Sequence, residues 1–166
     1  MAMPEIDFDR TIETELAPRR LWDLMVGAFE DPAASPVWPV DLEEVDPVKL
    51  KAGQTVEGVY KLGPIKSRLS YHITDFDPPR AFSYRSDDDH PLAGGATVEV
   101  QSRFGGKSAL RWHGHYKTRL HLKAPAAYLF VRFYFLDTFF GRLEANLQKV
   151  APGRPSQGDQ PISTGN

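Results

Sequence analysis

Polar and apolar residues alternate at the start of the chain. Ile6, Phe8, Arg10, Ile12, Thr14 and Leu16 share one face of an extended segment, and Asp7, Asp9, Thr11, Glu13 and Glu15 share the other, the period-two pattern of a half-buried strand. The period then changes. Pro18 suits the first turn of a helix, and Leu21, Leu24, Met25 and Ala28 recur at helical spacing beside Trp22 and Phe29, predicting a short amphipathic helix over 18–29. Pro32, Pro36 and Pro39 break the next stretch, which leaves at most one further helical turn in a loop carrying Trp38. A second strand is expected around 40–45. Short extended segments follow: 55–62 before Gly63-Pro64, 65–76 before Pro78-Pro79, 82–85 before a polar hairpin over 87–95, 96–104 before Gly105-Gly106, and 108–120. Turn signals at such regular spacing predict an antiparallel meander.

Over 125–150 the period is helical again. Leu129, Phe133, Leu136, Phe140, Leu143, Leu147 and Val150 step by four and three residues, a continuous apolar stripe that must lie on the sheet. Tyr128, Val131, Phe135 and Phe139 form a second row that widens the apolar arc beyond what one packing contact uses. Phe130 and Tyr134 lie off the stripe. They read either as a dimer or membrane-surface contact or as residues covered by Trp22, Phe29 and Trp38. Residues 151–166, rich in Pro, Gly, Ser and Gln, predict a disordered tail after a single domain over 1–150.

Composition narrows the function classes. A chain of 166 residues, 41% hydrophobic and 25% charged, is the size of one globular domain. It has no cysteine, which excludes disulfide scaffolds, thiol catalysis and cysteine-held zinc or iron-sulfur centres. The longest mostly apolar stretch, 124–136, is interrupted by Pro125 and Arg132 and falls short of the roughly 20 residues of a membrane span, so no integral membrane association is expected. Met-Ala-Met-Pro-Glu-Ile-Asp carries no basic leader before an apolar run, which makes the cytoplasm the expected location. A net charge of −2 argues against nucleic acid as a partner. That charge is unevenly placed: residues 1–50 hold 12 acids and 4 bases, net −8, and residues 51–166 hold 10 and 16, net +6. The two parts should attract.

The order strand, helix, short helical loop, six strands and long C-terminal helix resembles the START-like (SRPBCC, helix-grip) superfamily, in particular its polyketide cyclase/dehydrase and lipid-transport group. The resemblance is carried by the strand running into Ala17-Pro18-Arg19-Arg20-Leu21-Trp22, by Trp38-Pro39 before a strand, by Ile73-Thr74-Asp75-Phe76-Asp77-Pro78-Pro79-Arg80 entering another, and by the aromatic-rich final helix. It covers about residues 5–150, and its motifs specify a fold rather than a chemistry. It implies an α+β helix-grip fold: a curved seven-stranded antiparallel sheet around the long C-terminal helix, short helices after the first strand, and a cavity for an apolar ligand between sheet and helix. First and last strands are neighbours in such a sheet. Asp7, Asp9, Glu13 and Glu15 are therefore expected to face Arg111, Lys117 and Arg119.

The candidate ligand-binding residues follow from alternation within that frame. Leu69, Tyr71 and Ile73 share one face of a central strand; Leu110, Trp112, Gly114 and Tyr116 share one face of the last, with Gly114 leaving room. Leu69, Tyr71, Ile73, Trp112 and Tyr116, with Arg132, Phe133, Leu136 and Phe140 from the helix, are the expected pocket residues, each also readable as plain core packing. Arg10 and Arg132 sit near apolar rows, where a buried arginine implies either an ion pair or an anchor for an anionic ligand group; against these, snorkelling is preferred for Arg10, and Arg132 is evenly open between the two readings. His113 and His115 project from one strand face as two metal ligands do, but Arg111 and Lys117 share that face, so no metal is expected. Asp87, Asp88 and Asp89 lack the spacing of a calcium loop, and Gly94-Gly95 and Gly105-Gly106 read as turns without a phosphate-loop pattern. No nucleophile elbow is present.

No cofactor is expected. The leading reading is a binding protein for a small hydrophobic or amphipathic ligand such as a lipid, isoprenoid, aromatic or polyketide, acting as a monomer or weak homodimer. A cyclase or dehydratase using the same pocket and a protein or membrane-surface interaction module are the alternatives, and whether the chain is an enzyme stays open. In the enzyme reading Tyr71, Tyr116 and Arg132 polarise a bound carbonyl.

Overall fold

A computed structural model describes residues 5–62, 65–87, 92–118 and 129–151. Ile6, Phe8 and Ile12 are buried while their neighbours are exposed, so the first alternating segment is a strand, β1 (Glu5–Thr14). Helix α1 (Pro18–Glu30) starts with proline in its first turn and buries Leu21, Trp22, Leu24, Met25, Ala28 and Phe29. Of the short helices expected after β1, this one forms; residues 32–34 make only a turn, since Pro32 and Pro36 deny a second helix its donors. The Glu30 carboxylate accepts from the Leu50 amide at 2.9 Å, anchoring the chain before the meander.

Six strands follow: β2 (Asp41–Val45), β3 (Thr55–Leu62), β4 (Ile65–Asp77), β5 (Ala81–Ser86), β6 (Leu92–Ser102) and β7 (Ser108–Thr118). With β1 they form one seven-stranded antiparallel sheet in the order β1-β7-β6-β5-β4-β3-β2. Register shifts at Leu42/Glu44 and at Ile73/Asp75 mark bulges that bend the sheet.

Gly94 and Gly95 correct one expectation. They lie inside β6 rather than in a turn, because the neighbouring strands approach so closely that a Cβ on Gly94 would stand 2.0 Å from the His115 carbonyl oxygen, and one on Gly95 2.6 Å from that of Tyr84. Gly114 is explained the same way. Its Cβ would meet the Gly95 carbonyl at 2.3 Å and the Ala96 methyl at 2.6 Å, so the glycine makes room for β6 and not for a ligand. Gly105 and Gly106, with φ of 76° and 77°, do form the turn between β6 and β7.

The first and last strands pair along their whole length, Glu5 opposite Lys117 and Thr14 opposite Ser108. Their outer face carries the expected charge match. The Arg111 guanidinium donates to both Asp9 oxygens at 3.1 and 2.8 Å, His115 Nδ1 lies 2.7 Å from Asp7, and Lys117 reaches Glu5 at 3.2 Å. Arg103 adds bonds to Glu13 and Lys107 to Glu15. Arg119 lies outside the described residues, as do Asp88 and Asp89. Asp87 bonds His72 at 2.6 Å. Among the described residues no three potential metal ligands converge, and His113 and His115 stay on this charged outer face.

The C-terminal helix comes in two parts, a π-helical stretch (Phe130–Phe135) and α2 (Leu136–Val150). Leu136, Phe140, Leu143 and Leu147 are buried on the concave face of the sheet. The stripe breaks N-terminal to Leu136: Leu129 is 53% and Phe133 61% exposed. A π-turn holds about one residue more than an α-turn, so it rotates everything before it by roughly 100° relative to α2. No helix among the described residues is long and apolar enough to cross a membrane.

Candidate functional site

Between the sheet and the C-terminal helix lies a cavity of about 50 Å³. Strand alternation places its floor: β4 contributes Leu69 and Tyr71, β5 Tyr84, and β7 Trp112 and Tyr116. Phe29 of α1, with Trp38 and Val40 after it, closes one side, and Phe135, Leu136, Phe139 and Phe140 form the roof. Nine of these twelve residues are aromatic, so the walls are rings that meet largely edge to face. Trp112 is nearly perpendicular to Phe139 and to Phe140, at 5.3 and 5.5 Å between ring centres, and Tyr71 to Tyr84 at 5.2 Å. Phe8, paired opposite Gly114, stacks on Tyr116 at 5.1 Å. The gap holds about two or three water molecules. An aromatic ligand enters only if rings of the roof swing aside.

Six of the nine expected residues come together here: Leu69, Tyr71, Trp112, Tyr116, Leu136 and Phe140. Three do not. Ile73 is buried in the core next to the β4 bulge, where Gly53 and Gln54 bond its backbone. Phe133 is turned to the surface by the π-turn, and its place is taken by Phe135 and Phe139 of the second row. Arg132, displaced by the same rotation, donates to the backbone carbonyl of Asp7 at 3.1 Å and does not line the cavity. Arg10 reaches out to Asp137 of α2 and lies over the Phe140 ring at 5.9 Å, a half-exposed cation spanning sheet and helix. Tyr134 is 59% exposed. The Phe130 side chain lies outside the described residues.

Phe29, Trp38, Val40, Tyr84, Phe135 and Phe139 line the cavity outside the nine expected residues, and Tyr84 is the one among them with a hydroxyl. It carries the polar core of the site. The Trp112 indole N–H donates to its hydroxyl oxygen at 3.0 Å, and its hydroxyl lies 3.0 Å from that of Tyr116. Burial drives the Tyr84 pKa well above its ordinary value, reinforced by the nearby Tyr116 and Tyr71 phenols. Tyr116 is partly exposed as a residue, yet its hydroxyl is enclosed; burial pushes its pKa up to about 12, opposed by the Tyr84 hydrogen bond. Both phenols are neutral donors at physiological pH. The signal for Tyr84 was present: Phe82, Tyr84 and Ser86 alternate inward on β5 just as Leu69 and Tyr71 do on β4. Among the described lining residues there is no carboxylate, imidazole, ammonium or guanidinium. The arrangement can solvate a polar atom and surround an apolar one, but it supplies no charged acid or base.

Comparisons with known proteins agree on the architecture. The sequence pattern of a family described as polyketide cyclase/dehydrase and lipid transport matches residues 5–150. Similar solved structures include the Zhui aromatase/cyclase from a Streptomyces species, at 14% identity over 88% of this chain and 93% of that one, TM-score 0.70. The di-domain aromatase/cyclase BexL is similar at 14% identity over 91% of this chain and 51% of its own, TM-score 0.69. Norcoclaurine synthase from Thalictrum flavum, solved with dopamine and hydroxybenzaldehyde, shares 8% identity over 92% and 91%, TM-score 0.65. No curated protein matches the sequence. At such identities the structural likeness shows the fold alone.

Proposed function

The chain belongs to the polyketide cyclase/dehydrase and lipid-transport family, and from that membership we propose that it holds a small hydrophobic, ring-bearing ligand between sheet and C-terminal helix. The observation that carries this reading is the lining itself: nine aromatic rings around a gap, with one buried hydroxyl network and no charged group among the described lining residues. Each buried hydroxyl must find a partner, so a core filled for packing alone has no need of the Trp112–Tyr84–Tyr116 network. Apolar ring walls with a few placed polar groups among them are what a binding site uses to fix orientation.

The second reading, a cyclase or dehydratase, is favoured by the phenol hydroxyls, which can polarise a carbonyl during enolate formation. It also needs a group to take the proton, and the described lining residues offer only neutral phenols. Binding is therefore placed first.

Native followed by denaturing mass spectrometry of the protein as purified from cells tests the proposal. A small hydrophobic species present in the native protein and released on denaturation is the expected result. An empty protein that also fails to take up an apolar fluorescent dye overturns it and leaves the rings as packed core.

A further inference from the structure

We propose that the polar end of the cavity recognises a neutral hydrogen-bond acceptor, a ketone or ether oxygen on a flat aromatic ligand, and discriminates against carboxylates. The inference rests on the reading that a ligand occupies the cavity, and it derives from counting protons. The Trp112 indole N–H can only donate, so its bond fixes the Tyr84 oxygen as an acceptor. Tyr84 and Tyr116 each bring one hydroxyl proton, and one bond joins them. Three hydrogens serve two bonds, whichever phenol donates to the other. Within this trio one hydroxyl proton is left over for a further acceptor. Donation running from Trp112 through Tyr84 to Tyr116 polarises each hydroxyl in turn and puts the spare proton on Tyr116. Trp112 and Tyr84 are then positioning residues, and Tyr116 touches the ligand.

The charge of the ligand follows from what surrounds this point. A carboxylate entering here would lose its water without gaining a cation. Arg10 and Arg132 are committed elsewhere, Arg10 to Asp137 and Arg132 to the Asp7 carbonyl, and neither lines the cavity. A cationic ligand meets phenols that stay protonated, not phenolates. The aromatic lining offers ring faces and edges to an aromatic skeleton.

The test compares three probes of one skeleton, naphthalene, methyl naphthyl ketone and naphthoate, by quenching of tryptophan fluorescence at neutral pH. The ketone is expected to bind about fivefold tighter than naphthalene, the worth of one hydrogen bond, and naphthoate the weakest of the three. The infrared carbonyl stretch of the bound ketone should lie at the frequency of a hydrogen-bonded ketone. Tyr116→Phe moves the spare proton back to Tyr84. It should shift that stretch and lower the ratio of ketone to naphthalene affinity, a response that lost packing, which weakens both probes alike, would not give. Equal affinities for ketone and naphthalene, a hydrocarbon-like carbonyl stretch, or tightest binding of naphthoate overturns the inference with ligand binding intact. Failure of all three to bind removes the ligand-binding reading and this inference with it.

Discussion

Tyr84 concentrates the residue-scale consequences. It is buried, it is the acceptor for Trp112, and it is the neighbour of Tyr116. Tyr84→Phe keeps the ring and its contacts but removes the acceptor of the buried indole N–H, so a loss of about 1–3 kcal/mol of stability is expected. Chemical denaturation of the variant measures it. The phenols also fix the alkaline limit of the fold. Their folded pKa values lie above the ordinary tyrosine value, Tyr116 at about 12 and Tyr84 displaced the same way. Between the unfolded value of roughly 10 and these folded values, the unfolded chain has lost protons that the native one retains. Stability is thus full below about pH 10 and falls as pH rises through the folded range. Ultraviolet absorbance of tyrosinate, followed with circular dichroism, should show part of the phenol titration arriving only with unfolding. Full titration before unfolding would contradict the buried pair.

At the scale of the element, the π-turn decides which side of the C-terminal helix does what. Within α2 the heptad-like stripe works as its spacing predicts, and Leu136, Phe140, Leu143 and Leu147 are buried. One turn earlier the same spacing puts Leu129 and Phe133 on the surface, while Phe135 joins Phe139 over the cavity. Leu136→Ala should therefore cost about 2–5 kcal/mol, whereas Phe133→Ser, three residues away on the same sequence stripe, should change stability by less than about 0.5 kcal/mol. Thermal denaturation of the two variants side by side reads the phase of the helix directly. Comparable losses would mean that the helix is α throughout and that Phe133 packs inward.

For the molecule as a whole, the decisive contact joins the first and last strands of the chain. β1 and β7 are more than 90 residues apart in sequence, and their pairing adds β1 as the edge strand of the sheet on which the helix lies. Ser108 secures one end, its hydroxyl donating to the Leu16 carbonyl at 2.8 Å from a fully buried position. The outer face is held by acids of the first strand and bases of the last, and their pairing makes stability dependent on acid. Hydrogen bonds from the Arg111 guanidinium hold the Asp9 carboxyl below its ordinary value. The stabilisation is present above the ordinary carboxylate value and is lost as pH falls through the lower, folded one. Asp9→Asn should melt below the parent at neutral pH, and the two melting curves should converge as pH falls through the lowered Asp9 value. A constant offset across that range would show that the pair contributes nothing dependent on charge.

The sequence determined the element order, the inward faces of β4 and β7, and the meeting of the acidic first strand with the basic last one. Alternation and charge are local properties, and burial on one face enforces them wherever the strand ends up. Tyr71, Trp112 and Tyr116 were legible as site residues for that reason, and Tyr84 carried the same pattern. Three features depended on the tertiary structure. Gly94, Gly95 and Gly114 look like turn or pocket glycines until neighbouring strands are close enough to exclude a Cβ. Ile73 shares its face with Tyr71, but a bulge and the backbone of the preceding turn enclose it. Arg132 and Phe133 follow the helical stripe, but a change from α to π winding displaces both from the cavity. Winding, bulging and strand separation are settled by packing between distant parts of the chain, and a local periodicity carries no record of them.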